Sequence, residues 1–307
     1  CDGTSDQEEI QQAIDNLGDN KGAVYLLEGT YNLDSGCYIT LNDTSPLDSN
    51  KSIIGTGAGT VLKDVVGLNT AIRVKSSNNL FSQFRIKGFN TIYIFCGDDD
   101  AHSNIIDTLW FEDIRFGSVE LIGSPPAHDW IICESYFYSS AQGYSIFSGV
   151  ERCIYCSNIF QDIPYSPIFV WGSGSVISFN SIRQDISSSN NLYSGGKSIA
   201  LGNNILNNVA GQLNTYSIFS DDTSVVTGNY VSLASRGKAG GSECLLTFNS
   251  LDSNDYGVYN SSKKISIFGN LIYESGAISG QGLAIYFYPD IFSNPPLGCL
   301  ISSNLIY

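Results

Sequence analysis

The chain is long, acidic and sparsely charged. It has 307 residues, a formal net charge of -15 and 15% charged residues, with 42% hydrophobic residues available for a core. Only 15 Lys and Arg stand against 30 Asp and Glu, which argues against a nucleic-acid-binding surface. All apolar runs are far shorter than the roughly 20 residues that span a bilayer, so no membrane span is predicted.

The numbers of His and Cys residues bear on metal binding and on the cellular compartment. Two His residues leave little room for a zinc site, and the Cys153–x–x–Cys156 pair has no second pair to complete one. No metal centre or other cofactor is predicted on this basis. Eight Cys, an even number, are typical of an oxidising compartment and favour an extracellular protein.

The chain opens with a predicted helix over residues 5–18. Residues 5–8 (SDQE) form a capping-box pattern, in which the Ser5 hydroxyl and the Glu8 carboxylate would bond each other's backbone N–H groups. Apolar residues follow at helical spacing: Ile10, Ala13, Ile14 and Leu17. Gly18 is a suitable left-handed stop. Short β-rich runs come next, at residues 23–27, 52–55 and 60–62.

One pattern then recurs about every 22 residues. Each copy centres on a polar residue, with an apolar residue three places before it and another two places after it. These centres are Ser135, Asn158, Asn180, Asn204, Asn229, Asn249, Asn270 and Asn304. A period of this length, with short strands and without helices, predicts a solenoid of β-coils.

Stacked coils lie about 4.8 Å apart and share a core that one coil could not bury alone. The recurring Asn residues are therefore predicted to form a structural ladder of side-chain amides. The same register places Cys133 and Cys156 at equivalent positions of adjacent coils. They would form either a disulfide or a stacked pair of free thiols.

Four early segments carry a family resemblance. Residues 2–6 (DGTSD), 9–15, 22–31 and 54–62 resemble the opening of the pectate-lyase-like superfamily. The resemblance implies a right-handed parallel β-helix: a single domain over 1–307 of about ten coils, with the cap helix and first coils in 1–65 and regular coils in 66–307. The family's usual first strand is missing and the chain stops on a strand, which predicts a fragment or ends closed by a neighbouring subunit.

Relatives in that superfamily include polysaccharide lyases, mannuronan epimerases, glycoside hydrolases and phage tailspikes, which hold glycans along one sheet. In this chain that sheet should contain residues 91–96, 118–123, 143–148, 167–172, 215–220, 256–260 and 283–287. Alternation would bury Ile94, Leu121, Ile146, Val170, Ile218 and Val258. The neighbouring residues would face outward: Phe95, Ile122, Phe147, Trp171, Phe219, Tyr259 and Tyr286, with Tyr93 as a further candidate.

Such an outward row would contact sugar rings or another protein chain. An error of one residue in the register would instead turn the row into ordinary core.

Carboxylates near the same sheet are the candidates for catalysis. Glycoside cleavage requires two of them, roughly 5–10 Å apart. Asp98, Asp99 and Asp100 end one predicted strand, and Glu120 lies on the next coil. The acidic run is interpreted as a solvated loop, a Ca²⁺ site, or, with Asp98, Asp99 and Glu120, a catalytic group. The epimerase signature Asp-Pro-His-Glu and the polygalacturonase motifs are absent from this sequence.

Two function classes follow. The first is a non-catalytic extracellular subunit of a filament, spike or cell or virion surface, which binds glycans or its own copies. The second is a polysaccharide lyase, hydrolase or uronate epimerase. Three sequons, at Asn42, Asn50 and Asn260, are candidate glycosylation sites.

Overall fold

The computed structural model describes residues 3–34, 39–42, 48–65, 70–89, 95–97, 101–114, 117–122, 128–138, 143–184, 190–207, 216–232, 236–241, 243–254, 256–260, 264–273, 283–287 and 298–307. These residues belong to two compact units, Cys1–Ile159 and Phe160–Tyr307. Each unit is a stack of β-coils. The single domain predicted over 1–307 stays a prediction.

Helix α1 covers Asp6–Asp15 and packs Ile10 and Ile14 into the first unit, as the helical spacing predicts. The predicted capping box is wrong. Ser5 makes no side-chain cap, and its hydroxyl donates to Asp34 Oδ1 at 2.6 Å. Asp6 takes over the anchoring role, because its carboxylate accepts the backbone N–H groups of Gly3 (3.0 Å) and Asn32 (2.7 Å).

The described residues of the first unit form sixteen complete strands, each three to five residues long. In chain order β1 to β16 are Gly22–Tyr25, Gly29–Leu33, Ile39–Leu41, Lys51–Ile54, Thr60–Asp64, Ile72–Val74, Leu80–Ser82, Arg85–Lys87, Phe95–Gly97, Ile105–Asp107, Trp110–Glu112, Val119–Leu121, Ile131–Cys133, Tyr136–Tyr138, Ile146–Ser148 and Ile154–Cys156. Strand β17, Ile159–Gln161, contains the boundary between the units. The predicted β-runs correspond to β1, β4 and β5.

The second unit continues with β18 to β35. These strands are Ile168–Val170, Val176–Ser178, Ser181–Gln184, Asn190–Ser194, Ile199–Leu201, Asn204–Asn207, Tyr216–Ser220, Val225–Thr227, Tyr230–Ser232, Arg236–Gly240, Leu245–Thr247, Ser250–Asp252, Tyr256–Asn260, Ser266–Phe268, Leu271–Tyr273, Leu283–Phe287, Leu300–Ser302 and Leu305–Ile306. All of the described pairings in both units are parallel.

Every third strand belongs to the same sheet, so each coil contributes one strand to each of three sheets. The first sheet begins with β1, β4 and β7, the second with β2, β5 and β8, and the third with β3, β6 and β9. Inward side chains fill the coil interior, as with Ile106, Ile132 and Tyr155 of the first sheet. The predicted parallel β-helix is confirmed; the coil number differs slightly from the predicted ten.

The turn between the first and second sheets contains the predicted ladder, with one correction. Its continuous part consists of Asn180, Asn203, Asn229, Asn249, Asn270 and Asn304. From Asn203 onward, each amide oxygen accepts from the preceding Asn of the ladder. The predicted member Asn204 is wrong: its side chain is exposed. Asn203 follows the left-handed Gly202 (φ 63°), as Asn229 follows Gly228 (φ 62°), so the turn geometry sets the register.

The paired cysteines are free thiols in this structure, so the second of the two predicted alternatives describes them. Cys133 and Cys156 are register partners on β13 and β16. Burial, followed by the nearby Asp107 carboxylate, raises the pKa of Cys133 to about 12. The neutral thiol is therefore the stable form at physiological pH.

Two further findings concern the described ranges only. The helix there is far too short and polar to cross a bilayer. No group of three or more His, Cys, Asp or Glu side chains in these ranges is arranged to hold a metal ion.

Candidate functional site

The third sheet is where the sequence places the candidate surface, and most of the predicted strands lie there. It contains β9, β12, β15, β18, β24, β30 and β33, which overlap the seven predicted segments. Four of its strands, β3, β6, β21 and β27, were not among the predicted segments. The buried side chains of Leu121, Ile146, Val170, Ile218 and Val258 confirm the predicted inward alternation; Ile94 lies outside the described residues.

In the first unit the outward column differs from the prediction at two positions, by one residue at Phe95 and by two residues at Ile122. Phe147 pairs with Glu120, and Glu120 pairs with Cys96. Ile122 is exposed but lies beyond the end of β12 and outside this column. The backbone of Phe95 shares the register of the buried residue Val119. Phe95 and Ile122 are therefore not in the row that contains Phe147.

In the second unit the residues in register with Phe169 are mostly aromatic, and only the backbone of Ala239 and Tyr259 is described. From one coil to the next, the residues of this column are Phe169, Tyr193, Phe219, Ala239, Tyr259 and Tyr286. Phe219, Tyr259 and Tyr286 were predicted, whereas Phe169 and Tyr193 were missed. A repeated aliphatic–aromatic dipeptide could have found them, as in Ile168–Phe169, Leu192–Tyr193 and Ile218–Phe219.

Three of these rings form an aromatic stack, which we define as Phe169, Tyr193 and Phe219. The centroids of Phe169 and Tyr193 are 4.4 Å apart with an interplanar angle of 18°. Those of Tyr193 and Phe219 are 5.2 Å apart at 11°. All three side chains are half-buried, so the stack stabilises the coils and also lies at the surface.

Trp171 was predicted as an outward residue and is exposed, but it lies one residue beyond β18. Its side chain is 48% exposed. Its ring centroid is 6.2 Å from that of Phe169, and the two planes meet at 80°. Trp171 therefore flanks the aromatic stack without being part of it.

A carboxylate borders the same stack. The Tyr193 hydroxyl donates to Asp221 Oδ2 at 2.7 Å. Burial, reinforced by this carboxylate, raises the pKa of Tyr193, so the phenol stays protonated. Asp221 itself is half-buried and follows β24 directly. It was not among the predicted site residues.

Glu120 is the one predicted catalytic residue among the described ranges. It is half-buried in the outward column, and burial raises the pKa of its carboxyl group. A raised pKa suits a general acid, but the reaction needs a second carboxylate. Asp98, Asp99 and Asp100, the other catalytic and Ca²⁺ candidates, lie outside the described residues.

The environment of Glu120 gives a stability prediction. The pKa of Glu120 is higher in the folded chain than in the unfolded chain, so the carboxyl group favours folding most at low pH. This contribution to the free energy of unfolding is lost as pH rises through the folded pKa. The amide of Glu120→Gln cannot ionise. We expect the variant to melt about 1–2 °C above the wild type at pH 8 and level with it near pH 3, as checked by differential scanning calorimetry. The exposed Glu134, changed to Gln, is the control. Equal melting temperatures of the wild type and the Glu120→Gln variant at pH 8 would contradict the prediction.

The remaining predicted positions are placed as follows. Tyr286 is half-buried, Tyr93 lies outside the described residues, and only the backbone of Tyr259 is described. Asn42 and Asn50 are half-buried in the first unit, and only the backbone of Asn260 is described. Their glycosylation stays a prediction.

Both histidines lie between a strand of the third sheet and the following strand of the first sheet. His102 Nδ1 is 2.8 Å from the Ser77 hydroxyl, and the two imidazole centroids are 5.1 Å apart. His128 Nδ1 is 2.7 Å from Asp129 Oδ2, and Arg152 Nε donates to Asp129 Oδ1 at 2.9 Å. These contacts join neighbouring coils of the first unit.

Comparison with known proteins identifies the fold and leaves the family open. No family model and no curated protein sequence matches the chain. Among solved structures, a mutant tailspike protein of E. coli bacteriophage HK620 is similar with a TM-score of 0.71 and 12% identity, over 98% of this chain and 62% of that one.

Two further structures are similar at TM-score 0.56. One is the A-module of the Azotobacter vinelandii mannuronan C-5 epimerase AlgE4, with 14% identity over 100% of this chain and 94% of that one. The other is PfbA, a surface adhesin of Streptococcus pneumoniae, with 12% identity over 89% and 88%. At these identities the likeness concerns the fold, and the chain is a right-handed parallel β-helix protein.

Proposed function

We propose that this chain is an extracellular, surface-associated protein that binds polysaccharide on the outward face of its third sheet, without cleaving it. The observation that carries the proposal is the aromatic character of that face in the second unit. The aromatic stack and the exposed Trp171 stand together there. Aromatic side chains at a water-accessible surface mark a contact surface.

Fold similarity supports the choice of ligand. The tailspike of bacteriophage HK620 is described in complex with a hexasaccharide, and PfbA is described as a surface adhesin. Both have the parallel β-helix fold of this chain. A glycan is therefore favoured over a second copy of the chain as the occupant of the aromatic face.

The scarcity of carboxylates in the described outward column supports binding without cleavage. The column pairs Thr40, Arg73, Cys96, Glu120 and Phe147 in the first unit. Among these residues Glu120 is the one acid. Since hydrolysis needs a pair of carboxylates at a defined separation, the described part of the column is suited to binding.

Binding to immobilised polysaccharides tests the proposal directly. The purified chain is applied to a panel of neutral and anionic polysaccharides, and the bound ligand is then analysed by size-exclusion chromatography after long incubation. We expect saturable binding to at least one polysaccharide, with its chain length unchanged. A panel that shows no saturable binding would overturn the proposed function.

The second candidate is a polysaccharide-active enzyme, favoured by the raised pKa of Glu120. Shortened or epimerised polysaccharide in the same incubation would support it. Glu120→Gln should then abolish the reaction while binding on the aromatic face continues. Full activity in that variant would remove Glu120 from the catalytic group.

A further inference from the structure

The geometry of the aromatic stack limits what each ring can offer a ligand. Phe169, Tyr193 and Phe219 lie nearly parallel, 4.4 and 5.2 Å apart, so their faces cover one another. The rings therefore present mainly their edges outward. Sugar rings pack through C–H groups against the electron-rich face of an aromatic ring, and edges offer less of that surface.

Trp171 is oriented differently. Its plane is turned 80° from that of Phe169, so the stack does not continue onto the indole face. Nearly half of the side chain is exposed. Within the described part of the third sheet, Trp171 is thus the ring whose face best serves as a platform for a sugar.

An acceptor for sugar hydroxyls lies on the same edge of the sheet. Val170, Ser194 and Ser220 are register partners, and each is followed by one residue of a second column: Trp171, Gly195 and Asp221. Gly195 contributes no side chain between the other two. At about 4.8 Å per coil, Trp171 and Asp221 are about 10 Å apart along the stack, a distance that one pyranose and its hydroxyl groups can span.

The carboxylate of Asp221 has acceptor capacity for such a ligand. Oδ2 accepts the Tyr193 hydroxyl, which fixes the orientation of the carboxylate. An ionised carboxylate has about four acceptor positions, so it can accept sugar hydroxyls in addition. Asp222 follows it, and the one nearby described cation is the exposed Lys197, whose backbone N–H donates to the Asp222 carbonyl.

We propose that one neutral hexopyranose residue of the glycan stacks on Trp171 and donates a hydroxyl group to Asp221. This inference rests on the proposed function and narrows it to a ligand class and a subsite. A uronate would bring its own carboxylate next to Asp221 and Asp222, on a chain of formal net charge -15. Like charges at this separation disfavour binding.

The test measures dissociation constants by isothermal titration calorimetry. The probes are dextran, a galactan and a mannan as neutral polysaccharides, and alginate as the anionic one. Trp171→Ala should weaken binding to the best neutral probe at least tenfold. Asp221→Asn should weaken it about fivefold, because the amide keeps one acceptor oxygen and loses only the charge. Phe248→Ala is the matched control, because Phe248 is an exposed ring in the turn between the first and second sheets, and it should stay within about twofold. Phe219→Leu separately tests the aromatic stack.

The outcomes separate this subsite from the proposed function. If Trp171→Ala binds as tightly as the wild type while Phe219→Leu loses binding, the chain binds glycan but the subsite is wrong. Tighter binding to alginate than to every neutral probe would overturn the ligand class. If no probe binds the wild-type chain, both proposals fail. Trp171 is exposed, so its replacement should leave the fold intact, which circular dichroism checks.

Discussion

Replacing Asn203 by alanine is expected to lower the free energy of unfolding by about 2–4 kcal/mol. The Asn203 amide oxygen accepts from the backbone and side chain of Asn180, and its Nδ2 donates to Ile177 O and Asn229 Oδ1, all at 2.9–3.1 Å. Alanine would remove these four buried hydrogen bonds from the ladder. Urea denaturation followed by circular dichroism measures the effect.

Asn204→Ala is the matched control. Asn204 is adjacent in sequence and identical in type, but its side chain is exposed. Its replacement should change the unfolding free energy by less than about 0.5 kcal/mol. If Asn204→Ala were the more damaging change, the ladder would have the register predicted from the sequence, and the turn geometry described above would be wrong.

Asp48→Ala is expected to destabilise the chain by about 3–5 kcal/mol. Asp48 and Lys51 form an ion pair whose side chains are 0% and 1% exposed. Lys51 Nζ also donates to the Ile14 carbonyl at 3.2 Å, near the end of α1. Removing the carboxylate would leave the Lys51 ammonium buried with too few partners, and α1 would be held less firmly. Thermal unfolding measures the loss.

Two variants test that explanation. Adding Lys51→Met to Asp48→Ala removes the uncompensated charge and should recover part of the lost stability. Glu243→Ala breaks the Lys264–Glu243 pair, which has a 2.8 Å contact but 69% and 49% exposed side chains, and should cost less than about 1 kcal/mol. A loss at Glu243 comparable to that at Asp48 would contradict the role assigned to burial.

The sequence was sufficient to predict the coil architecture, because the repeat is a physical requirement of the fold. Each coil needs a residue that satisfies the carbonyl groups at its turn, and each needs apolar residues on either side. Which residue of each coil belongs to the ladder could be determined only from the backbone conformation. The pair Asn203–Asn204 satisfies the sequence pattern in either register, and the left-handed Gly202 decides between them.

The candidate surface was harder to predict for a related reason. The aliphatic–aromatic dipeptide recurs with the coil, but the loops between strands differ in length, so alignment by spacing missed β21 and misplaced Phe95 and Ile122. Trp171 was predicted to be part of the outward row, but it lies one residue beyond β18 and flanks the aromatic stack. The contact between Tyr193 and Asp221 joins residues 28 positions apart, which periodicity alone does not connect.

The Asp48–Lys51 ion pair and the contacts at the start of α1 illustrate a second limit of prediction from the sequence. A capping box is a local pattern, yet Ser5 finds a better partner in Asp34, 29 residues away. Lys51 lies within a predicted sequon, where its charge would be expected at the surface, yet it is buried against Asp48. In each case a tertiary contact outweighed the local preference.

Hydroxyl-radical footprinting with and without a neutral polysaccharide tests the central claim most directly. The chain's three tryptophans make mass-spectrometric readout simple. Glycan binding on the third sheet predicts protection of Trp171 and of the aromatic stack, with no change at Trp110, which is half-buried on the second sheet. Protection at Trp110 without protection at Trp171 would contradict the account.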